Sequence, residues 1–159
     1  MRSSIAIGLG TWFALGGQAL AVTPNAAITA TLNDYIAGLE KGDAKAVAAT
    51  LATDVSIVDE VPPYAWRGPG AFVAMGAALA AYDKKAGISE AGLTLSAPSR
   101  IEVTGDRAYV VAPGVFHFRQ GGVNMHEPGT ITFTLADGAG RWKITGWTWT
   151  SPKATPIKR

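Results

Sequence analysis

Two acids, Asp59 and Glu60, follow the apolar start of the run Ser56 to Trp66, read as SIVDEVPPYAW, and they differ by one position in a pattern of period two. Strand parity puts Asp59 on the face of Val55 and Ile57, and Glu60 on the face of Ser56 and Val58. If the apolar face is buried, the charged form of Asp59 is penalised and its pKa climbs toward the range of a general base. The same residues also suit a solvated acid at a strand end, or a cap on the Pro62-Pro63 turn. Tyr35 raises a parallel question, because a buried tyrosine ring needs a partner for its hydroxyl. That partner is either a backbone carbonyl in the core or a ligand. Tyr64 and Trp66, just past the prolines, are placed at the mouth of a cavity or in the packing of the turn. Phe116 and Phe118 share one face of a later strand and join Tyr64 and Trp66 as candidate ligand walls.

Other chemistries find less support. His117, His126 and Glu127 cluster in FHFRQGGVNMHEP, but the two histidines fall in different arms of an expected hairpin, and a stable metal site needs three or four fixed ligands. No metal and no cofactor are expected. His117 alternates with Phe116 and Phe118, so it belongs on the outer face of the sheet, where solvent or an interface would meet it. Trp147 and Trp149 share a face of the last strand, as a core or interface pair or as a stacking platform. No nucleophilic triad, phosphate-cradling glycine loop or thiol pair is present, and the chain has no cysteine.

The elements that must hold these residues are legible in the spacing. Ile28, Leu32, Tyr35, Ile36 and Leu39 form one helical stripe. Gly42 ends it, and Asp43 caps a short second helix carrying Val47 and Leu51. A strand runs from Val55. Phe72, Met75, Leu79 and Tyr82 mark a third helix ending near Gly87. Alternating segments follow at 93–103, 107–119, 129–136 and 141–150, parted by glycine-rich turns. The class is α+β, three helices on a curved antiparallel sheet, and such a sheet leaves a concavity where ligands bind.

Residues 1–21 read as a secretory signal peptide: a short cationic start, an apolar stretch from Ile5 to Gly17, and Ala19-Leu20-Ala21 before the cut. Residues 22–152 are the expected domain and 153–159 a flexible basic tail. The expected address is periplasmic or secreted, with no membrane association after cleavage. Apart from Arg2, Lys153, Lys158 and Arg159, ten Lys and Arg face twelve Asp and Glu, so the domain is slightly acidic and no nucleic-acid partner is expected.

With Tyr35, Gly42-Asp43, ATDVSIVDE and DGAGRWKI in place, the chain resembles the nuclear transport factor 2-like superfamily, which includes SnoaL-like domains and ketosteroid isomerases. The resemblance implies a cone-shaped fold over roughly residues 26–150. It places Tyr35 where the isomerases carry an oxyanion-hole tyrosine and Asp59 where they carry the general-base aspartate. Their third group, a protonated aspartate, falls at Thr130, Ile131 or Thr132, none of which is an acid. The reading from sequence is an exported domain that binds a small apolar or carbonyl-containing molecule. One alternative is an isomerase, cyclase or dehydratase with Asp59 as base and Tyr35 as donor. A second is a non-catalytic module that dimerises through its sheet face.

Overall fold

The computed structural model describes residues 23–138 and 141–157, so the segment expected to be a signal peptide and the last two residues of the tail lie outside the described residues. Helix α1 (Pro24–Glu40) starts with Pro24 in its first turn, where no N–H is needed, and with Thr23 as its cap. Ile28, Leu32 and Tyr35 form its buried stripe; removing a side chain of this size from water contributes roughly 1.5–3 kcal/mol. Gly38 completes the stripe for a different reason: a Cβ there would lie 2.8 Å from Val47 Cγ2, so the glycine is what lets α2 (Ala44–Thr50) pack close. The Asp43 side chain caps α2, accepting from the Ala46 N–H at 2.9 Å.

The chain then enters β1 (Leu51–Val58), in which Val55 and Ile57 are buried. A short β2 (Ala65–Arg67) returns antiparallel to it, and α3 (Ala71–Ala86) follows, stopped by Gly87 in the left-handed conformation. The rest is sheet: β3 (Ile88–Leu95), β4 (Arg100–Thr104), β5 (Arg107–Gln120), β6 (Val123–Asp137) and β7 (Trp142–Thr150). The expected strand over 93–103 is two strands, because Pro98 removes a ladder donor between them. Strand β5 is long enough to pair β4 along Arg107–Val111 and β3 along Gly114–Gln120.

The sheet runs β2-β1-β7-β6-β5-β3, with three helices packed on it. It is mixed, which corrects the expectation of a purely antiparallel sheet: β1 pairs with β7 in parallel. The reason is topological, since two strands joined by most of the chain need no hairpin and can run the same way. A second difference concerns the tail. Thr155–Pro156 form a short β8 against Met125 and His126 of β6, and Ile157 N–H donates to the Asn124 carbonyl at 2.9 Å. A segment expected to be flexible is thereby tied to the sheet through main-chain bonds. No helix among the described residues is long and apolar enough to cross a membrane.

Candidate functional site

A cavity of about 820 Å³ opens between α1, α3 and the inner face of the sheet. Tyr35 enters it from α1, 2% exposed, its ring edge-on to Phe133 with centroids 6.0 Å apart. Among the described residues no protein group hydrogen-bonds its hydroxyl. Burial pushes the Tyr35 phenol far up, and the charge of Asp59 pushes it the same way. The group is therefore a neutral donor at any ordinary pH.

Asp59 follows the last residue of β1 and lines the same cavity. Its Oδ1 accepts from the Val61 N–H at 3.1 Å, an Asx turn that starts the corner. Two main-chain bonds close that corner: Tyr64 N–H to the Val61 carbonyl at 2.8 Å and Asp59 N–H to the Tyr64 carbonyl at 3.1 Å. Burial raises the Asp59 carboxyl above its usual range; the Val61 and Glu60 N–H groups oppose this, and the nearby charge of Glu127 adds to it.

Phe116 and Phe118 also line the cavity, as expected from their shared face. Tyr64 and Trp66 do not. Trp66 sits in β2 opposite Ile57 and is buried in the core, and Tyr64 takes a left-handed conformation (φ 73°) that leaves its side chain 57% exposed. The corner re-aims both rings, because it is a return strand and not a rim loop. Of the three positions left open on β6, Ile131 is the one that faces the cavity.

Two further acids join the site, neither of them expected there. Glu60 lines the cavity beside Asp59, because β1 ends at Val58 and alternation stops with it. Glu127 is 3% exposed and lies opposite Phe116 in the β5–β6 pairing, on the inward face shared with Ile131 and Phe133. Running the strand back from Phe133 in steps of two reaches Glu127, a signal that starting the strand at residue 129 conceals. Glu127 Oε1 accepts from Trp149 Nε1–H at 2.8 Å, and the Ser151 hydroxyl bridges Glu127 Oε1 and Glu60 Oε2. Burial, and then the charge of Glu127, lift the Glu60 carboxyl to about 7. One further polar atom is unmet: Trp147 lines the cavity, and its indole Nε1–H is buried without a partner among the described residues. No group of three or more metal-ligating side chains forms among the described residues. His117 and His126 are opposite one another across the β5–β6 pair, outside the cavity lining.

Residues 21–148 match the family of SnoaL-like domains. The chain belongs to that family. Solved structures with the same fold include a hexachlorocyclohexane dehydrochlorinase, LinA-type3, from Novosphingobium barchaimii LL02, at 16% identity and TM-score 0.70, covering 83% of this chain and 88% of that one. A nuclear transport factor 2-like superfamily protein from Salmonella enterica serovar Typhimurium LT2 aligns at 22% identity and TM-score 0.63, over 81% and 91% of the two chains. A ketosteroid isomerase-like protein from Erwinia carotovora atroseptica SCRI1043 aligns at 18% identity and TM-score 0.61, over 80% and 95%. No curated protein matches the sequence. At these identities the likeness carries the SnoaL-like, nuclear transport factor 2-like fold, whose members are often isomerases or dehydratases, and does not carry an activity.

Proposed function

We propose that this SnoaL-like domain is an exported acid-base enzyme acting on a small, uncharged carbonyl compound. Asp59 takes a proton from the carbon next to the carbonyl, and the Tyr35 hydroxyl donates to the oxygen on which the enolate charge develops. The observation that carries this is that Asp59 and Tyr35 open onto one cavity, close enough for the carboxylate charge to act on the phenol. Trp147 supports the reading, because it lines the cavity near Ile131, which offers no donor, and its buried indole N–H has no partner among the described residues. The walls favour a neutral substrate: among the described residues Glu40, Asp59, Glu60, Asp83 and Glu127 line the cavity against Lys153 alone, so an anion would meet net repulsion. The apolar run from Ile5 to Gly17 supports export to the periplasm or beyond.

The test is hydrogen exchange on a model ketone. With 4-phenylbutan-2-one in heavy water, the wild-type protein is expected to deuterate the α-carbons faster than buffer, by proton NMR. Asp59→Asn is expected to lose about 10²- to 10⁴-fold of that rate, the usual contribution of a general base. If the ketone binds and exchange stays at the buffer rate, the domain binds ligand without turning it over and the enzyme reading is wrong.

A further inference from the structure

Ser151 carries one hydroxyl hydrogen, yet its Oγ is within hydrogen-bonding distance of two carboxyl groups, Glu127 Oε1 and, at 3.2 Å, Glu60 Oε2. One proton serves one carboxylate. Glu127 Oε1 already takes the Trp149 indole N–H at 2.8 Å and, as the acceptor of two donors, is the oxygen to which the Ser151 hydrogen is directed. The contact to Glu60 is then satisfied when Glu60 holds a proton and donates it to the Ser151 oxygen. Glu60 lines the cavity, and Trp147 keeps an unmet donor in the same wall, so the space these groups share is fitted for a ligand oxygen.

We propose that Glu60 is the proton donor of this cavity, held protonated through Ser151 and Glu127, and that its substrate is a β-hydroxy carbonyl compound that loses water. The inference rests on the reading of Asp59 as the base. Asp59 removes the proton from the carbon between the carbonyl and the hydroxyl-bearing carbon. The electrons of that C–H bond form the C=C bond, and the C–O bond breaks with its pair on oxygen. That oxygen takes the Glu60 proton and leaves as water. Glu60 is left ionised and Asp59 protonated, and a proton passed from Asp59 to its neighbour Glu60, directly or through water, restores the start. Tyr35 is the weaker candidate for this role, because burial and then the charge of Asp59 hold its phenol on the protonated side.

The groups facing Glu60 agree with a stored proton. Asp59 is beside it in the chain, Glu127 reaches it from β6, and Glu40 of α1 and Asp83 of α3 line the same cavity. Lys153, the cation in the lining, makes no ion pair with them within 4 Å among the described residues. Partial burial and the Glu127 charge act together to lift the carboxyl to about 7, and a hydrogen bond donated by Ser151 to Glu60 would oppose them. Ser151 and Glu127 are positioning residues, acting on the substrate only through Glu60.

Two model ketones separate this inference from the base reading. Exchange into 4-phenylbutan-2-one needs the base alone, whereas dehydration of 4-hydroxy-4-phenylbutan-2-one, followed by the absorbance of the conjugated product, needs base and acid. Glu60→Gln is expected to lower dehydration about 10²- to 10⁴-fold and to lower exchange far less. Ser151→Ala is expected to retain dehydration at low pH and to move the alkaline limb of its pH profile downward. Infrared difference titration of the carboxyl groups reads the stored proton without any substrate: the wild type should show a protonated carboxyl near neutral pH that Glu60→Gln lacks. Exchange without dehydration in the wild type, equal loss of both rates in Glu60→Gln, or no protonated carboxyl assignable to Glu60 overturns the inference and leaves the base reading standing. Absence of both reactions overturns the two readings together.

Discussion

Trp147 keeps its indole N–H away from water with nothing among the described residues to receive it, and a buried polar group left unmet costs about 1–3 kcal/mol. The Tyr35 hydroxyl likewise has no protein hydrogen-bond partner among the described residues. A cost of this kind persists when a ligand repays it, and both side chains line the cavity that Asp59 lines. Trp147→Phe removes the donor while keeping most of the apolar contact. It is expected to leave the unfolding midpoint unchanged or slightly raised and to slow ketone exchange by about 10²- to 10³-fold, the usual loss for one oxyanion donor. A variant that lost stability and kept its rate would make Trp147 a packing residue only. Tyr35→Phe should behave in the same way, since its ring contact with Phe133 survives the change.

The hairpin of β5 and β6 sets the carboxyl cluster through two glycines that face each other, Gly114 and Gly129. Their missing side chains make room for Trp149, which holds Glu127: a Cβ on Gly129 would stand 2.5 Å from Trp149 Cζ2 and 2.8 Å from the Thr150 carbonyl oxygen. Backbone on one side and a packed indole on the other leave little room to yield. Gly129→Ala is therefore expected to cost about 1–3 kcal/mol, as overpacking does, and to displace Trp149, with the unfolding midpoint and tryptophan fluorescence as readouts. An unchanged midpoint and spectrum would show that this contact can relax. The tail contributes at the same scale, because β8 anchors the segment whose Lys153 and Ala154 close one side of the cavity.

Across the whole molecule, five of the twelve Asp and Glu carboxyl groups line a single cavity, and the consequence for stability has a definite sign. Glu60 has its carboxyl raised from about 4.5 to about 7 by folding, so the folded state binds the proton more tightly than the unfolded chain. Its contribution to stability is fully present below the lower value and is lost as pH rises through the upper one. Asp59 and Asp83 are raised as well and act in the same direction. Glu60→Gln is neutral at every pH. The wild type is thus expected to lose stability relative to that variant between about pH 4.5 and 7, measured as the difference in unfolding midpoint. Partial solvation of Glu60 makes the change smaller than full linkage would give. A difference that is constant across this window would contradict the raised carboxyl.

Periodicity alone determined the three helices, the strand-rich second half and the shared face of Phe116 and Phe118, because those features depend on the repeat of apolar side chains within one element. The same rule set Asp59 with Val55 and Ile57, and Asp59 lines the cavity although the strand stops before it. It placed Glu60 on the other side, because alternation holds only inside a strand and β1 ends one residue before Asp59. Tyr64 and Trp66 followed a return strand that no local pattern announced, and Glu127 was hidden by a strand start set six residues too late. The parallel β1–β7 pair and the docking of β8 depend on partners far away in sequence. What only the tertiary structure decided is the meeting of Glu60, Ser151, Glu127 and Trp149. Four side chains from the ends of β1 and β7 and from the middle of β6 become neighbours because the sheet brings those strands side by side, and no spacing along the chain encodes that adjacency.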